Sequence, residues 1–225
     1  MNKPTITIVI PAKNEEKTIG EIIEAVRPYG NEVLLIDGHS TDKTRNIASS
    51  LGARIEFDHG RGKGDAIKTA IEKVTNDIIV FIDADGSHDA KDIPKLLEPI
   101  LKDEADLVIG SRSLGGSDEA WGTIPDFIRN VGAHIILLAI NYRFGVLFTD
   151  SQNGFRAVRT SAAKKLTLKE DITTIEQEML IKCIKAGCRI KEVPAHEYRR
   201  KFGESRFKVW KVAYRYVWSL VKNLL

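Results

Sequence analysis

The first half of the chain alternates short apolar runs with helical patterns, and this alternation restricts its fold more than any other feature. Five runs rich in β-branched residues predict strands, and short links join them to the helices between them. Strands connected through helices are parallel neighbours in a sheet that carries helices on its faces. We therefore expect an open α/β fold whose strands are residues 5–10, 32–37, 54–57, 77–83 and 106–109.

The second half is less regular. A segment rich in glycine, serine and acids, 113–125, predicts a mobile loop. Two more strands and two more helices follow from hydrophobic periodicity, and a strongly basic loop precedes the end of the chain. The helices are 126–142 and 175–186, the strands 154–159 and 189–193, and the basic loop 198–206.

Residues 207–225 predict a final amphipathic helix with an unusual pattern. Its polar side chains recur every three or four positions in one narrow, chiefly basic stripe, while most other positions are apolar, including Trp210 and Trp218. A basic stripe on a helix that carries tryptophan suits a membrane surface. The same pattern equally suits a helix packed on the protein's own core or on a partner chain. The stripe is Lys208, Lys211, Arg215, Ser219 and Lys222.

Composition is that of an ordinary globular domain: 225 residues, 43% hydrophobic, 29% charged, with a net charge of +3. The mild charge, without a basic tract that interleaves aromatics, argues against nucleic-acid binding. Cys183 and Cys188 match neither a redox pair nor a zinc set, which favours reduced cysteines inside the cell. No signal-peptide pattern opens the chain, and no apolar stretch approaches the ~20 residues that cross a bilayer. We expect a cytoplasmic protein.

Asp83 and Asp85 follow a buried strand one residue apart, and three other strand ends also carry polar groups. The carboxyl ends of parallel strands meet at one edge of a sheet, where ligands gather. Paired carboxylates there predict a site for a divalent cation that holds a phosphate-bearing ligand. One aspartate at a strand end is more often a cap or a solvated turn, but convergence of four ends makes that explanation weaker. The other ends are residues 11–15, Asp37 and residues 110–112.

These motifs, in this order, resemble the family 2 inverting glycosyltransferases, and within them the dolichol-phosphate mannosyltransferase group. The resemblance covers nearly the whole chain and implies a GT-A-type catalytic domain at 1–206, with 207–225 as its terminal helix. The segments that carry it are Pro11 to Glu15, Asp37 with Ser40-Thr41-Asp42, Gly62-Lys63-Gly64, Asp83-Ala84-Asp85, Ser111-Arg112 with Gly115-Gly116, Gly154-Phe155-Arg156, and Arg200 to Arg206.

The resemblance also assigns roles at the donor site. Asp83 and Asp85 would bind Mg²⁺ or Mn²⁺ on the diphosphate of a sugar nucleotide, and Asp85 would be catalytic. Ser87 stands where relatives often carry glutamine, so it would ligate the cation weakly or through water. The positions implied in binding the nucleotide are Pro11, Lys13, Glu15, Asp37, Lys63, Asp83 and Ala84.

Four arginines match phosphate-binding positions of the family. Arg200 and Arg206 flank Gly203 in a loop whose closure would bring both guanidinium groups onto phosphates, and Arg200 would be catalytic. Arg112 and Arg129 would hold the phosphate of the acceptor. A lipid phosphate needs no protein base, because a phosphate monoester is largely ionised at neutral pH, with a second pKa of about 6.

The reaction implied is inverting transfer of a hexose, mannose from GDP-mannose first, to dolichyl or another polyprenyl phosphate at the membrane surface. UDP-glucose as donor and a non-lipid acceptor remain alternatives. Asp83-Ala84-Asp85-Gly86-Ser87 also resembles the motif of haloacid-dehalogenase-type phosphatases, but those place it on their first strand. A non-catalytic nucleotide-binding protein is the third possibility, because Ser87 and Ala133 depart from the family pattern.

Overall fold

The computed structural model of the protein describes residues 3–118, 123–200 and 209–225. Strands form wherever the sequence carries a short run of β-branched and apolar residues between turn residues. Each predicted strand is present, with ends shifted by a few residues at most. The strands are β1 (Ile6–Ala12), β2 (Glu32–Asp37), β3 (Arg54–Phe57), β4 (Ile78–Phe81), β5 (Leu107–Ser111), β6 (Arg156–Arg159) and β7 (Ile190–Pro194).

Helices connect the strands, as the periodicity predicts. The third helix begins at Lys63, so Lys63 and Gly64 of the glycine-rich segment already belong to its first turn. The helices are α1 (Ile19–Val26), α2 (Thr44–Ser50), α3 (Lys63–Lys73), α4 (Ile93–Leu101), α5 (Arg112–Gly115), α6 (Ile124–Phe144), α7 (Thr160–Ala163), α8 (Ile175–Lys185) and α9 (Val209–Leu224).

The described strands make one sheet in the order β3-β2-β1-β4-β6-β5-β7. All neighbours are parallel except at β6, which runs antiparallel to both β4 and β5. The prediction of a mostly parallel sheet between helices is confirmed. Insertion of β6 places the segment before Arg156 beside the carboxyl end of β4, where Asp83 follows.

Side chains alternate across the sheet and build a core on each face, as strand geometry requires. Ile8 and Ile10 of β1 point towards α1 and α4, and Val9 points towards α3 and α8. All three are fully buried. The two cores hold the strands in register, which fixes where their carboxyl ends lie.

The helices α6 and α9 pack on α8 outside this sandwich, through a small cluster that includes Ile136, Ile140, Ile181 and Leu220. Thr123 caps α6, since its hydroxyl accepts a hydrogen bond from the Asp126 N–H, and Gly145 ends the helix in a left-handed conformation. Over the described ranges, none of the helices combines the length and the apolar character that crossing a bilayer would require.

Candidate active site

A cleft of about 1520 Å³ runs along the carboxyl edge of the sheet and continues between α6 and α9. It collects the segments that follow β1, β4 and β5, which parallel strands bring to one edge. Most of the predicted site residues line it: Pro11, Lys13, Glu15, Lys63, Asp83, Ala84, Asp85, Ser87, Arg112, Arg129 and Arg200. Asp37 is absent from its wall, and Arg206 lies outside the described residues.

Each carboxylate of the Asp-Ala-Asp motif carries a cationic partner. The ammonium of Lys63 lies 2.6 Å from Oδ1 of Asp83, and Nη2 of Arg200 lies 3.1 Å from Oδ2 of Asp85. Burial alone would raise the pKa of Asp83, but the neighbouring Lys63 outweighs it and the pKa is lowered. Both predicted cation anchors are therefore already paired with positive groups.

Lys63 is shared between Asp83 and a second acid, Glu176, which the sequence analysis missed. Glu176 begins α8, its Oε1 lies 3.1 Å from the Lys63 ammonium, and it is almost fully buried. Burial raises the pKa of Glu176, although Lys63 opposes the shift. Its Oε2 has no hydrogen-bond partner among the described residues. Buried Arg156 fixes the position of this helix end, since its Nη1 donates to the Glu176 carbonyl at 2.6 Å.

Lys63, predicted to contact the nucleotide, thus serves in this structure as the counter-ion of the Asp83–Glu176 pair. Burial lowers its pKa, but the two carboxylates more than compensate, and the net direction is upward. Gly154 lies against this group: a Cβ added there would lie 2.5 Å from the Lys63 ammonium and 3.3 Å from Oδ2 of Asp83. The glycine of Gly154-Phe155-Arg156 therefore leaves room for the ion pair.

The glycines on either side of Lys63 allow a close backbone approach. Gly62 and Gly64 lie under residues 170–172, and a Cβ on Gly64 would stand 2.5 Å from the Glu170 carbonyl oxygen and 2.8 Å from the Asp171 carbonyl carbon. Asp65 N–H donates to the Asp171 carbonyl at 3.2 Å. The glycine-rich motif therefore brings the segment before α8 down onto the start of α3.

Gly64→Ala is expected to lower the free energy of unfolding by about 1–3 kcal/mol, because the backbone of residues 170–172 has to move. Urea denaturation measures the loss. Gly132→Ala is the matched control, since an added Cβ there meets no atom within 4 Å and alanine favours a helix interior. Equal stability of the two variants would contradict the close-packing role of Gly64.

Arg112 is held by two acids that sequence patterns did not reveal. Its Nε and Nη2 donate to the two carboxylate oxygens of Asp150 at 2.7 and 3.0 Å, and Nη1 donates to Glu197 at 3.3 Å. Burial would raise the pKa of Asp150, but the guanidinium group brings it to about 2. The Arg112 charge is therefore balanced within the protein, and an acceptor phosphate would have to share it.

Arg129 differs from Arg112 because its ion pair is longer and lies within one helix. It lies in the second turn of α6, its side chain is 29% exposed, and Nη2 is 3.6 Å from Asp126 on the same helix. Its position on the cleft wall agrees with the predicted contact to an acceptor phosphate. That role stays a prediction.

The opposite end of the cleft is formed by the loops after β1 and β2. Asn14, in a left-handed conformation, links them: its N–H donates to Ser40 Oγ and its Oδ1 accepts from Thr41 N–H. Residues 40–42 therefore mainly hold this junction, and Asp42 also accepts a hydrogen bond from Thr44 N–H at the start of α2. Pro11, Lys13 and Glu15 line the cleft beside this junction.

Asp37, predicted to bind the nucleotide, is fully buried and turned into the protein. Its Oδ2 accepts from Ser40 N–H at 2.9 Å, while Oδ1 has no hydrogen-bond partner among the described residues. An acid near this end that does reach the cleft wall is Asp58, just after β3, and burial raises its pKa. The sequence analysis singled out Asp37 and did not consider Asp58, although both lie at strand ends.

The residues at the floor of the cleft fit a divalent cation shared with a diphosphate. Carboxylate oxygens are the ligands such cations prefer, and Lys63 and Arg200 already supply positive charge at the same two carboxylates. Within the part of the chain that the structure describes, no cluster of three or more acids, histidines or cysteines is arranged to hold a metal unaided. Phosphate oxygens, water and Ser87 would have to complete the coordination.

A cleft at the carboxyl edge of this sheet, with paired carboxylates on its floor, defines a glycosyltransferase of the GT-A architecture. The chain belongs to glycosyl transferase family 2, whose sequence model matches residues 7–167. The membership predicted from the motifs is thereby confirmed. The position of Asp83 also favours sugar transfer over the phosphatase alternative, since Asp83 follows the fourth strand in the chain and not the first.

Two curated relatives illustrate the similarity. Glycosyltransferase AglJ of Haloferax volcanii is 36% identical over 200 residues, which cover 88% of this chain and 64% of that protein. The UDP-N-acetylglucosamine–dolichyl-phosphate N-acetylglucosaminyltransferase of Methanococcus voltae is 29% identical over 238 residues, 93% of this chain and 94% of the relative.

Among solved structures, glucosyl-3-phosphoglycerate synthase from Mycobacterium tuberculosis, in complex with Mn²⁺, UDP and glucosyl-3-phosphoglycerate, has a similar fold. The superposition gives a TM-score of 0.76 at 23% identity and covers 98% of this chain and 80% of that one. At this identity the likeness shows the shared fold.

Proposed function

We propose that the protein transfers a hexosyl group, with inversion, from a nucleoside diphosphate sugar to a polyprenyl phosphate such as dolichyl phosphate. The observation that carries this proposal is the shape of the cleft, which joins a charged floor to an apolar outlet. Asp83, Asp85 and the cationic side chains of Lys63, Arg112 and Arg200 line one part. The outlet lies between α6 and α9 and is lined by Ile128, Ile135, Ile136, Leu137, Val217 and Leu220.

The chemistry suits the charged part of the cleft. Cleavage of the bond from the anomeric carbon to the diphosphate leaves negative charge on the leaving group, and a bound divalent cation would stabilise that charge. Arg200, the ion-pair partner of Asp85, would add a guanidinium group there. Arg129 would orient the acceptor phosphate, which attacks without a protein base because it is already ionised at neutral pH.

The identity of the nucleotide sugar that serves as donor is a separate question. Mannose from GDP-mannose is the donor implied by the motif resemblance, whereas the name of the Methanococcus relative favours a UDP-linked sugar. A thermal-shift screen with GDP-mannose, UDP-glucose and UDP-N-acetylglucosamine, with and without Mn²⁺, separates them, since a ligand that binds the native state raises Tm.

Incubation with Mn²⁺, the selected labelled donor and polyprenyl phosphate then tests transfer. Labelled lipid supports the proposal. Product formed only on a soluble phosphorylated acceptor would retain the glycosyltransferase and overturn the lipid acceptor. Binding of nucleotide without product on the whole donor panel would support a non-catalytic protein.

We further propose that α6 and α9 rest on the membrane, at its cytoplasmic face. The helix α9 buries Ser219 and leaves several large apolar side chains exposed: Ser219 is 1% exposed, whereas Trp218 is 68% exposed. Ser219, assigned from sequence to the basic stripe, therefore faces the protein. Along α6, Ile135 and Leu138 are 62% and 69% exposed, and Lys222 and Arg215 on α9 can meet anionic headgroups.

Trp218→Ser combined with Leu138→Ser is expected to lower binding to anionic liposomes several-fold, because each change removes exposed apolar area. Co-sedimentation with phosphatidylglycerol vesicles measures it. Phe57→Ser is the control, since Phe57 is 49% exposed but belongs to β3 at the far edge of the sheet. Unchanged partition of the double variant, or a loss of self-association caused by the two changes, would show that this face binds something other than the membrane.

A further inference from the structure

A chain of buried hydrogen bonds stands behind Ser87, and nothing in the sequence patterns indicated it. Ser87 Oγ lies 3.2 Å from Nδ1 of His88, and His88 Nε2 lies 2.9 Å from Oδ1 of Asn153. Asn153 Nδ2 in turn donates to the Gly110 carbonyl at 2.5 Å. The three side chains belong to buried residues, each at most 6% exposed. Ser87 and Asn153 line the cleft, and His88 lies behind them.

The direction of each hydrogen bond follows from the two backbone groups at the end of the chain. The Gly110 carbonyl can only accept, so the atom of Asn153 facing it is the amide nitrogen. The Phe155 N–H can only donate, and its partner at 3.2 Å is Oδ1 of the same amide. This oxygen must then accept from His88, so that Nε2 of His88 carries a hydrogen. In the neutral ring Nδ1 is therefore an acceptor, and the hydroxyl of Ser87 donates its hydrogen bond to it.

The orientation of the hydroxyl matters because of where Ser87 lies. Its own N–H donates to Oδ1 of Asp85 at 3.0 Å, which ties it to the second carboxylate of the motif. With its proton directed at His88, the oxygen of Ser87 keeps its lone pairs for a partner in the cleft. A partner that attracts lone pairs, beside two carboxylates, is a cation.

We propose that His88 and Asn153 are positioning residues that orient Ser87 Oγ as a third protein ligand of the divalent cation. The inference rests on the proposed function, since it requires a cation at Asp83 and Asp85. It gives Ser87 a definite part in coordination, in place of the weak or water-mediated contact that its residue type suggests. Outer-shell partners of this kind typically change metal affinity by about 10–100-fold.

Two substitutions of His88 separate orientation of Ser87 from simple packing against Phe155, whose ring centroid is 5.0 Å from that of His88. In His88→Asn the side-chain oxygen can replace Nδ1 and still accept from Ser87. In His88→Gln the polar group reaches the Nε2 position and leaves Ser87 without its acceptor. A packing role predicts similar effects of the two changes, whereas positioning predicts rescue by asparagine alone.

The probe is Mn²⁺, titrated into the protein alone and again with UDP or GDP, with the free ion followed by electron paramagnetic resonance. Ser87→Ala and His88→Gln are each expected to weaken Mn²⁺ binding about tenfold, and His88→Asn to stay close to the unmodified protein. Ser87→Ala with His88→Gln should lose no more than Ser87→Ala alone, because the two residues act through one ligand. His59→Gln is the matched control: it also loses an Nδ1 contact, that with Asp65 at 3.0 Å.

Ser87→Cys tests directly whether the side chain at position 87 binds the metal. A thiolate binds soft metals, so Cd²⁺ should produce a sulfur-to-metal absorption band beyond the background of Cys183 and Cys188 in the unmodified protein. That band should weaken in Ser87→Cys with Asp83→Asn. Circular dichroism confirms that each variant is folded.

The outcomes distinguish failure of the proposed cation site from failure of the positioning role of His88. If the unmodified protein and Asp83→Asn bind Mn²⁺ equally, the cation site fails, and with it this inference. If Mn²⁺ binding depends on Asp83 but is unchanged in Ser87→Ala and His88→Gln, the proposed function stands and only the positioning role is overturned. Equal losses in His88→Asn and His88→Gln would also overturn it.

Discussion

Asp85→Ala is expected to lower sugar transfer by about 10³-fold or more, with little loss of stability. Asp85 lines the cleft, and Arg200 is its partner at 3.1 Å. The substitution removes one of two cation anchors and also releases the arginine that would stabilise the leaving diphosphate. Removing a single preorganised electrostatic group commonly costs about 10²–10³ in kcat, and here two are affected.

The measurement is steady-state transfer of labelled hexose to polyprenyl phosphate, with Mn²⁺ binding followed in parallel. Asp89→Ala is the control, because Asp89 lies on the same loop but only accepts a hydrogen bond from Lys91 N–H at the next short helix. Arg200→Ala should lower turnover while nucleotide binding largely survives. Full transfer by Asp85→Ala would show that this carboxylate of the Asp83-Ala84-Asp85 motif is not needed for catalysis.

Arg112→Gln is expected to cost about 3–5 kcal/mol of unfolding free energy, which is the usual loss when one partner of a buried ion pair is removed. The change leaves the almost fully buried Asp150 without its bidentate partner and Glu197 without an ion-pair contact. Chemical denaturation measures the effect.

Arg129→Gln is the matched comparison on the same cleft. Its ion pair to Asp126 spans 3.6 Å and is partly exposed, so the expected change in stability is below about 1 kcal/mol. Its effect should appear in the KM for polyprenyl phosphate. If Arg112→Gln keeps full stability and raises only that KM, then Arg112 serves the acceptor, as the family resemblance implies, and the internal ion pairs contribute little.

The sequence predicted the strands well because each is a short apolar run between strong turn signals. It also predicted which strand ends meet, so Asp83, Asp85 and Ser87 were found. The sequence did not predict the direction of β6, because a strand of four residues, Arg156–Arg159, has the same alternation of side chains in either direction.

Glu176 and Glu197, which the sequence analysis missed, share one property: the role of each depends on a partner far away in the chain. Glu176 meets Asp83 through Lys63, and Glu197 meets Arg112 across 85 positions. In sequence each is an ordinary acid at a helix start or in a loop. The nucleotide-binding role of Asp37 stays a prediction, since a strand end does not tell whether its last side chain turns outward or, as here, inward to Ser40.

The central position of β6 has a consequence for synthesis on the ribosome. The strands β1 to β4 can pair as soon as they emerge, but β4 then presents a bare edge, and both partners of β5 come later in the chain. An unpaired edge invites association with other chains. The nascent protein therefore passes through a stage at which Asp83 already ends its strand while Gly154 and Glu176 have not arrived, and chaperone protection is needed most during that interval.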